Sequence, residues 1–131
     1  MPEEKKPLKI LLVDDDRFLL DMYLLKFKKG GCEVDVSPNS TNGLEKLRAG
    51  EVFDIVIVDI IMPGIDGIEF LKKVRDEKLA TETVFVMLTN QTDSEEKAKS
   101  LGVCGYIIKA STIPSEVVEQ VLQIYKDNKG V

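Results

Sequence analysis

Apolar residues along the chain fall into short unbroken runs that alternate with longer stretches in which they recur every three or four positions. The first run, Leu8-Lys9-Ile10-Leu11-Leu12-Val13, is too short for a favoured helix and rich in strand formers, so it predicts a strand. From Asp16 to Lys29 the apolar positions Leu20, Tyr23, Leu24 and Phe27 take helical spacing, with Asp16 suited to cap the start and Gly30-Gly31 to stop the pattern. The alternation continues as strand Glu33-Val36, helix Ser40-Ala49, strand Phe53-Val58, helix Gly67-Lys78, strand Thr83-Leu88, helix Ser94-Leu101, strand Gly105-Ile108 and helix Pro114-Lys126. Pro114 fits a first helical turn, where its missing N–H costs nothing.

Repeated strand-then-helix units with short connections imply parallel strands, because each helix supplies a right-handed crossover. Runs such as Ile55-Val56-Ile57-Val58 agree, since a parallel sheet is covered on both faces. The expectation is a flavodoxin-like doubly wound α/β domain, a five-stranded parallel sheet of order 2-1-3-4-5 with helices on both faces. No repeat or linker divides the chain, so one domain is expected over 1–131, with a core from about 8 to 127 after a charged lead-in.

In such a sheet ligands bind beyond the carboxyl ends of the strands, near the point where strand order reverses. Polar residues follow the apolar runs at those ends: Asp14 and Asp15, Asp59, Thr89 and Lys109. With strands one and three adjacent, three carboxylates converge, and like charges so close call for a proton or a cation among them. Oxygen ligands without histidine or cysteine suit a hard cation, and Mg2+ fits because it needs few carboxylates and readily adds phosphate oxygens. A carboxylate can serve as nucleophile, the metal offsets charge on the transferring group, and a lysine and a hydroxyl can hold its other oxygens.

Composition narrows the partners. The 131 residues are 44% hydrophobic and 31% charged, the balance of a soluble globular protein. With 18 basic against 23 acidic residues and a net charge of -5, direct binding to nucleic acid or to an anionic membrane is disfavoured. The chain has no histidine, which removes the commonest zinc ligand and any phosphohistidine role of its own. Cys32 and Cys104 stand far apart and no secretory leader or long apolar span is evident, so both read as reduced thiols, buried or partly buried, in the cytoplasm.

The ordered set Ile10-Leu11-Leu12-Val13-Asp14-Asp15, Asp59 with Met62-Pro63-Gly64-Ile65-Asp66-Gly67, Leu88-Thr89 and Gly105-Tyr106-Ile107-Ile108-Lys109 closely resembles the bacterial two-component response-regulator receiver family. The resemblance spans essentially the whole chain. It implies that Asp59 accepts a phosphoryl group, that Asp14, Asp15, Asp59 and the Ile61 backbone carbonyl bind Mg2+, and that Thr89 and Lys109 hold phosphoryl oxygens. It also implies that Tyr106 is an aromatic switch answering to the Thr89 hydroxyl, and that the output face lies near the fourth helix, fifth strand and fifth helix. The implied donor is a phosphohistidine on a sensor kinase or phosphotransfer protein, and the implied receiver of the signal is a downstream protein target or output domain.

Two positions depart from the family. Ala110 follows Lys109 where proline is usual, often after a cis bond; before alanine that bond costs about 2.5–4 kcal/mol, which leaves open a trans loop with the lysine placed differently or a retained strain. Asn90 follows Thr89 where a small residue is typical, and its side chain can screen the site or hydrogen-bond near it. Strand one ends in three acids, of which Asp14 and Asp15 are expected to face the pocket and Asp16 to cap the helix. The first helix also carries Phe18, Leu19, Met22 and Leu25 outside its main stripe, a candidate homodimer or kinase-docking face. Two other readings compete. In a Mg2+-dependent aspartyl-phosphate hydrolase, Asp14 and Asp16 would form an Asp-x-Asp motif and Asp59 would be idle; in a degenerate receiver, signalling would need no phosphorylation.

Overall fold

A computed structural model of the chain describes residues 6–130. The elements are β1 (Lys9–Val13), α1 (Arg17–Lys29), β2 (Glu33–Ser37), α2 (Ser40–Arg48), β3 (Ile55–Val58), α3 (Gly67–Asp76), β4 (Val84–Thr89), α4 (Glu95–Ser100), β5 (Gly105–Ile108), a short 3-10 turn over Lys109–Ser111, and α5 (Pro114–Lys129). All strand pairs are parallel and the order is β2-β1-β3-β4-β5, the doubly wound arrangement expected.

The pleat divides the core into two layers, because successive strand residues point to opposite faces. Leu11, Val13, Val56, Val58, Phe85 and Met87 meet Leu44 and Leu47 of α2, Phe70, Leu71 and Val74 of α3, and Ala98 of α4. On the other face Ile10, Leu12, Ile55, Ile57, Val86, Leu88 and Ile107 meet Leu20, Tyr23 and Phe27 of α1 and Val117 and Val121 of α5. Cys32 is buried, Cys104 is half-buried, and both are free. Phe18 and Leu25 of α1 stay exposed, whereas Leu19 and Met22 pack partly against the second layer.

Three boundaries differ from the sequence expectation by more than one residue. The third strand begins at Ile55 and not Phe53; Asp54 before it still bonds both neighbours, its N–H donating to the Lys9 carbonyl at 2.8 Å, its carbonyl accepting the Val84 N–H at 3.0 Å and its carboxylate accepting the Lys9 N–H at 2.8 Å. The third helix ends at Asp76, two residues short of Lys78, which takes a left-handed φ of 55°. The last helix runs to Lys129 and not Lys126: past Tyr125 its residues bury little, yet Gln123–Asp127 and Asn128–Ile124 bonds carry it on until Gly130 adopts φ 70°. Glycine tolerates that left-handed cap without steric cost.

Arg75 of α3 ties down the far end of α4. Its guanidinium lies over the Phe85 ring at 4.9 Å and donates to the Leu101 carbonyl at 2.7 Å and the Gly102 carbonyl at 3.2 Å. No helix among the described residues is long and apolar enough to cross a membrane.

Gly67, the first residue of α3, fixes the turn that follows β3. Its N–H donates to the Ile60 carbonyl at 2.8 Å, and a Cβ there would lie 2.2 Å from the Asp59 carbonyl oxygen and 2.8 Å from the Ile60 Cα. Both obstacles are backbone, so the loop must move. Gly67→Ala is expected to lower the urea-unfolding free energy by about 2–3 kcal/mol, at the upper end of overpacking costs, and to displace the segment carrying Asp59. A fully stable variant would refute this account of the turn.

Candidate functional site

The site forms where the sheet order doubles back. The β1–β3 ladder pairs Val13 with Val58, and the next residue continues it: the Asp59 N–H donates to the Val13 carbonyl at 3.0 Å. On the other side of β1, the Asp14 N–H donates to the Ser37 carbonyl at 3.1 Å. Asp14 and Asp59 therefore emerge side by side, 5% and 8% exposed. Asp16 turns away: its carboxylate accepts the Leu19 N–H at 3.1 Å and caps α1, while its own N–H donates to Asp14 Oδ1 at 3.0 Å. The Asp-x-Asp arrangement of the hydrolase reading is thus not assembled. Asp15 completes the group, with carboxylate oxygens of Asp14, Asp15 and Asp59 all within 4.8 Å of one another and Asp15 on the solvent side.

Lys109 enters from the opposite edge. Its Nζ donates to Asp14 Oδ2 at 2.5 Å and Asp59 Oδ2 at 2.7 Å, with its side chain 8% exposed. No cis peptide bond occurs among the described residues, so the bond before Ala110 is trans, and the lysine still reaches both acids. One ammonium faces three clustered carboxyl groups, more acids than the lysine alone can pair. The donor set is all oxygen, two members are held in place, and the third faces water, which suits a small hard cation that keeps part of its hydration.

Burial pushes the Asp14 carboxyl above its ordinary value, against the lowering effect of its bonds from Lys109 and the Asp16 N–H, with Asp59 adding to the rise. Burial alone would lower the Lys109 ammonium, but its bonds to Asp14 and Asp59 outweigh that and leave it above its ordinary value. Since folded Asp14 holds its proton more tightly than the unfolded chain does, this group's stabilising contribution is greatest at low pH. It is lost as pH rises from the ordinary carboxylate value through the folded one. In metal-free buffer, the stability of Asp14→Asn relative to the parent chain is therefore expected to increase between pH 4 and pH 7, read from urea midpoints. A decrease over that range would contradict the sign.

Thr89 closes β4 and is fully buried, but it does not bond the acids. Its Oγ1 accepts the Gln91 N–H at 3.2 Å, and the Gln91 carbonyl in turn accepts the Tyr106 hydroxyl. Tyr106 is half-buried and packs on the first core layer, so it is linked to Thr89 through a single intervening residue. Ile61 lies in the loop after β3, its side chain exposed and its N–H 3.4 Å from Asp59 Oδ1. The Met62–Gly67 segment shapes this loop: Gly64 takes φ 79°, and the Asp66 carboxylate caps α3 by accepting the Glu69 N–H at 2.9 Å.

Sequence reasoning missed two contributors, and for Asn90 it expected a hydrogen bond near the site without naming the partner. Tyr23 was assigned only to the core, yet it lines a small void together with Asp14 and Asp59. Gln91 carried no signal, because its part is played by backbone atoms. The hydrogen bond from the Ala110 N–H to Asn90 Oδ1, 2.8 Å, joins the two positions that depart from the family.

Comparison with known proteins agrees with this geometry. The response regulator receiver domain model matches residues 10–121. The transcriptional regulatory protein ResD of Bacillus subtilis is 34% identical over 119 residues, covering 86% of this chain and 46% of ResD. The curated relatives matched are longer proteins, of which this chain spans half or less, 40% to 50%. Among solved structures, a CheY-like response regulator receiver domain protein from Methanospirillum hungatei superposes with a TM-score of 0.84 at 25% identity, covering 95% of this chain and 98% of that one. The response regulator protein TrrA of Thermotoga maritima, determined in complex with Mg(2+)-BeF, gives a TM-score of 0.77 at 29% identity, covering 89% and 98%. With a family match over most of its length and the acid cluster at the topological switch point, the chain belongs to the response-regulator receiver family, whose function is to accept a phosphoryl group in two-component signal transduction.

Proposed function

We propose that Asp59 is the phosphoacceptor of a single receiver domain, and that the donor is a phosphohistidine on a sensor histidine kinase or phosphotransfer protein in the cytoplasm. The observation that carries this is the convergence of Asp14, Asp15 and Asp59 with Lys109 bonded across two of them. A carboxylate oxygen of Asp59 attacks phosphorus as the bond from phosphorus to the donor's imidazole nitrogen breaks, the electron pair returning to that nitrogen, which takes a proton. Asp14, Asp15, Asp59 and the Ile61 backbone carbonyl would hold Mg2+, which when bound offsets the negative charge of an approaching phosphoryl group.

Lys109 Nζ then exchanges a carboxylate for phosphoryl oxygens, a short movement because it already touches Asp59. The Thr89 hydroxyl uses only its acceptor side on the Gln91 N–H, so its proton is available to a phosphoryl oxygen. Drawing Thr89 inward strains the Gln91 link to the Tyr106 hydroxyl, which supports Tyr106 as the switch that alters the α4, β5 and α5 surface for a downstream target or output domain. Exposed Phe18 and Leu25 on α1 are a candidate face for the kinase or for a second copy. The test is intact-mass measurement after acetyl phosphate treatment with and without Mg2+. One phosphoryl group per chain, dependent on Mg2+ and mapped to Asp59, is expected; a chain unmodified in both conditions would overturn the reading.

A further inference from the structure

The two positions at which this chain departs from the receiver pattern touch each other. Asn90 Oδ1 accepts the Ala110 backbone N–H at 2.8 Å across 20 residues of sequence. Each partner directly follows a residue of the site: Thr89, fully buried, precedes Asn90, and Lys109, bonded to Asp14 and Asp59, precedes Ala110. Proline at 110 would bring no N–H and a fixed φ; alanine brings a donor and a freer backbone. Asn90 supplies an acceptor for that donor and ties the loop to the end of β4, which neither glycine nor alanine could do.

We propose that Asn90 is a positioning residue for Lys109: its side chain holds the backbone at Ala110 and so keeps Lys109 Nζ against Asp14 and Asp59, taking the place of a proline ring. Loop placement governs where a long side chain can reach. Lys109 enters the site from the first residue of a three-residue 3-10 turn, and the tethered N–H belongs to the second. The tether also makes the loops after β4 and β5 move together, so that Thr89 and Lys109 respond to the phosphoryl group as one unit. The consequence for phosphorylation rests on Asp59 as phosphoacceptor, whereas the hold on Lys109 does not.

The test compares the full chain with Asn90→Ala, Ala110→Pro and the double variant. Asn90 is exposed, so none of its contacts supports the core. Without donor or metal, Ala110 amide exchange is expected to rise about tenfold in Asn90→Ala, the loss of one net hydrogen bond. Acetylation of Lys109 by an amine-reactive ester, normalised to exposed Lys97 and Lys99, is expected to rise several-fold in Asn90→Ala. In the Ala110→Pro background the same substitution should change nothing, because the donor is gone. With acetyl phosphate and Mg2+, Asn90→Ala should also slow Asp59 labelling several-fold. Unchanged Lys109 acetylation in Asn90→Ala would overturn the proposal, as would an equal rise with proline at 110, which would make Asn90 a screen over the site. A parent chain that takes no phosphoryl group defeats the phosphoacceptor reading instead, while exchange and acetylation still decide on the tether.

Discussion

Asp59→Asn is expected to abolish labelling by acetyl phosphate while leaving the chain folded. The asparagine amide has nearly the shape of the carboxylate but a feebly nucleophilic oxygen, so labelling should fall to background, a loss of at least about a thousandfold if the carboxylate is the attacking group. The fold should tolerate the change for a reason visible in the site. Losing one member of a buried ion pair is costly when the other is left uncompensated, but Lys109 keeps Asp14 at 2.5 Å. The neutral amide also relieves repulsion among three clustered carboxylates. The weakened Lys109 bond and the relieved repulsion oppose each other, and the net change in unfolding free energy is expected to stay within about 1–2 kcal/mol. Intact mass and urea unfolding on the same sample separate the two effects. Undiminished labelling, or a phosphoryl group mapped to Asp14 or Asp15, would move the nucleophile elsewhere.

Much of this arrangement could be read from the chain because strand ends are marked twice, by the stop of an apolar run and by the polar residue that follows it. Ile55 to Val58 are all buried, so the polar residue after them has to surface at the sheet's carboxyl edge. The expected division among Asp14, Asp15 and Asp16 is also seen, since a cap needs a carboxylate reaching the third N–H of the helix and Asp16 stands at the distance to do so. What stayed hidden depends on contacts between distant segments. Arg75 gripping the Leu101 and Gly102 carbonyls is one such contact: an arginine on an amphipathic helix looks like any solvated charge until the partner loop arrives. The partnership of Asn90 with Ala110 is another, since each looks like an isolated departure and only the neighbouring positions of β4 and β5 in the sheet bring them together.

The link from Thr89 through Gln91 to Tyr106 has a similar origin. Two of its groups are the backbone N–H and carbonyl of one residue, which any residue but proline would supply, so the side chain at 91 carries no information about it. The physical content lies in loop geometry: one residue donates to Thr89 and accepts from Tyr106. A change in the Thr89 bond therefore acts on the Tyr106 bond through a single peptide segment, which makes a shared movement more economical than independent ones.

Asp15→Asn should separate the metal's contribution from that of the fold. Asp15 is the exposed member of the carboxylate group, so its neutralisation removes a charge without burying a new polar group, and metal-free stability should change by no more than about 0.5 kcal/mol. The parent chain, by contrast, should gain stability as Mg2+ is added, because an ion that binds only the folded site stabilises it by about 2.7 kcal/mol at one hundred times its dissociation constant. The variant should lose that gain. Even groups that merely support a metal ligand commonly cost 10–100-fold in affinity, so removing a direct carboxylate ligand is expected to weaken Mg2+ binding by about a hundredfold or more. Labelling of Asp59 at a Mg2+ concentration that saturates the parent should fall with it and recover partly at higher Mg2+. Thermal melting across a Mg2+ titration, paired with labelling rates, reads both quantities. If Asp15→Asn retained the full Mg2+ stabilisation, the ion would have to sit away from the three acids, and its role in charge compensation at Asp59 would be lost.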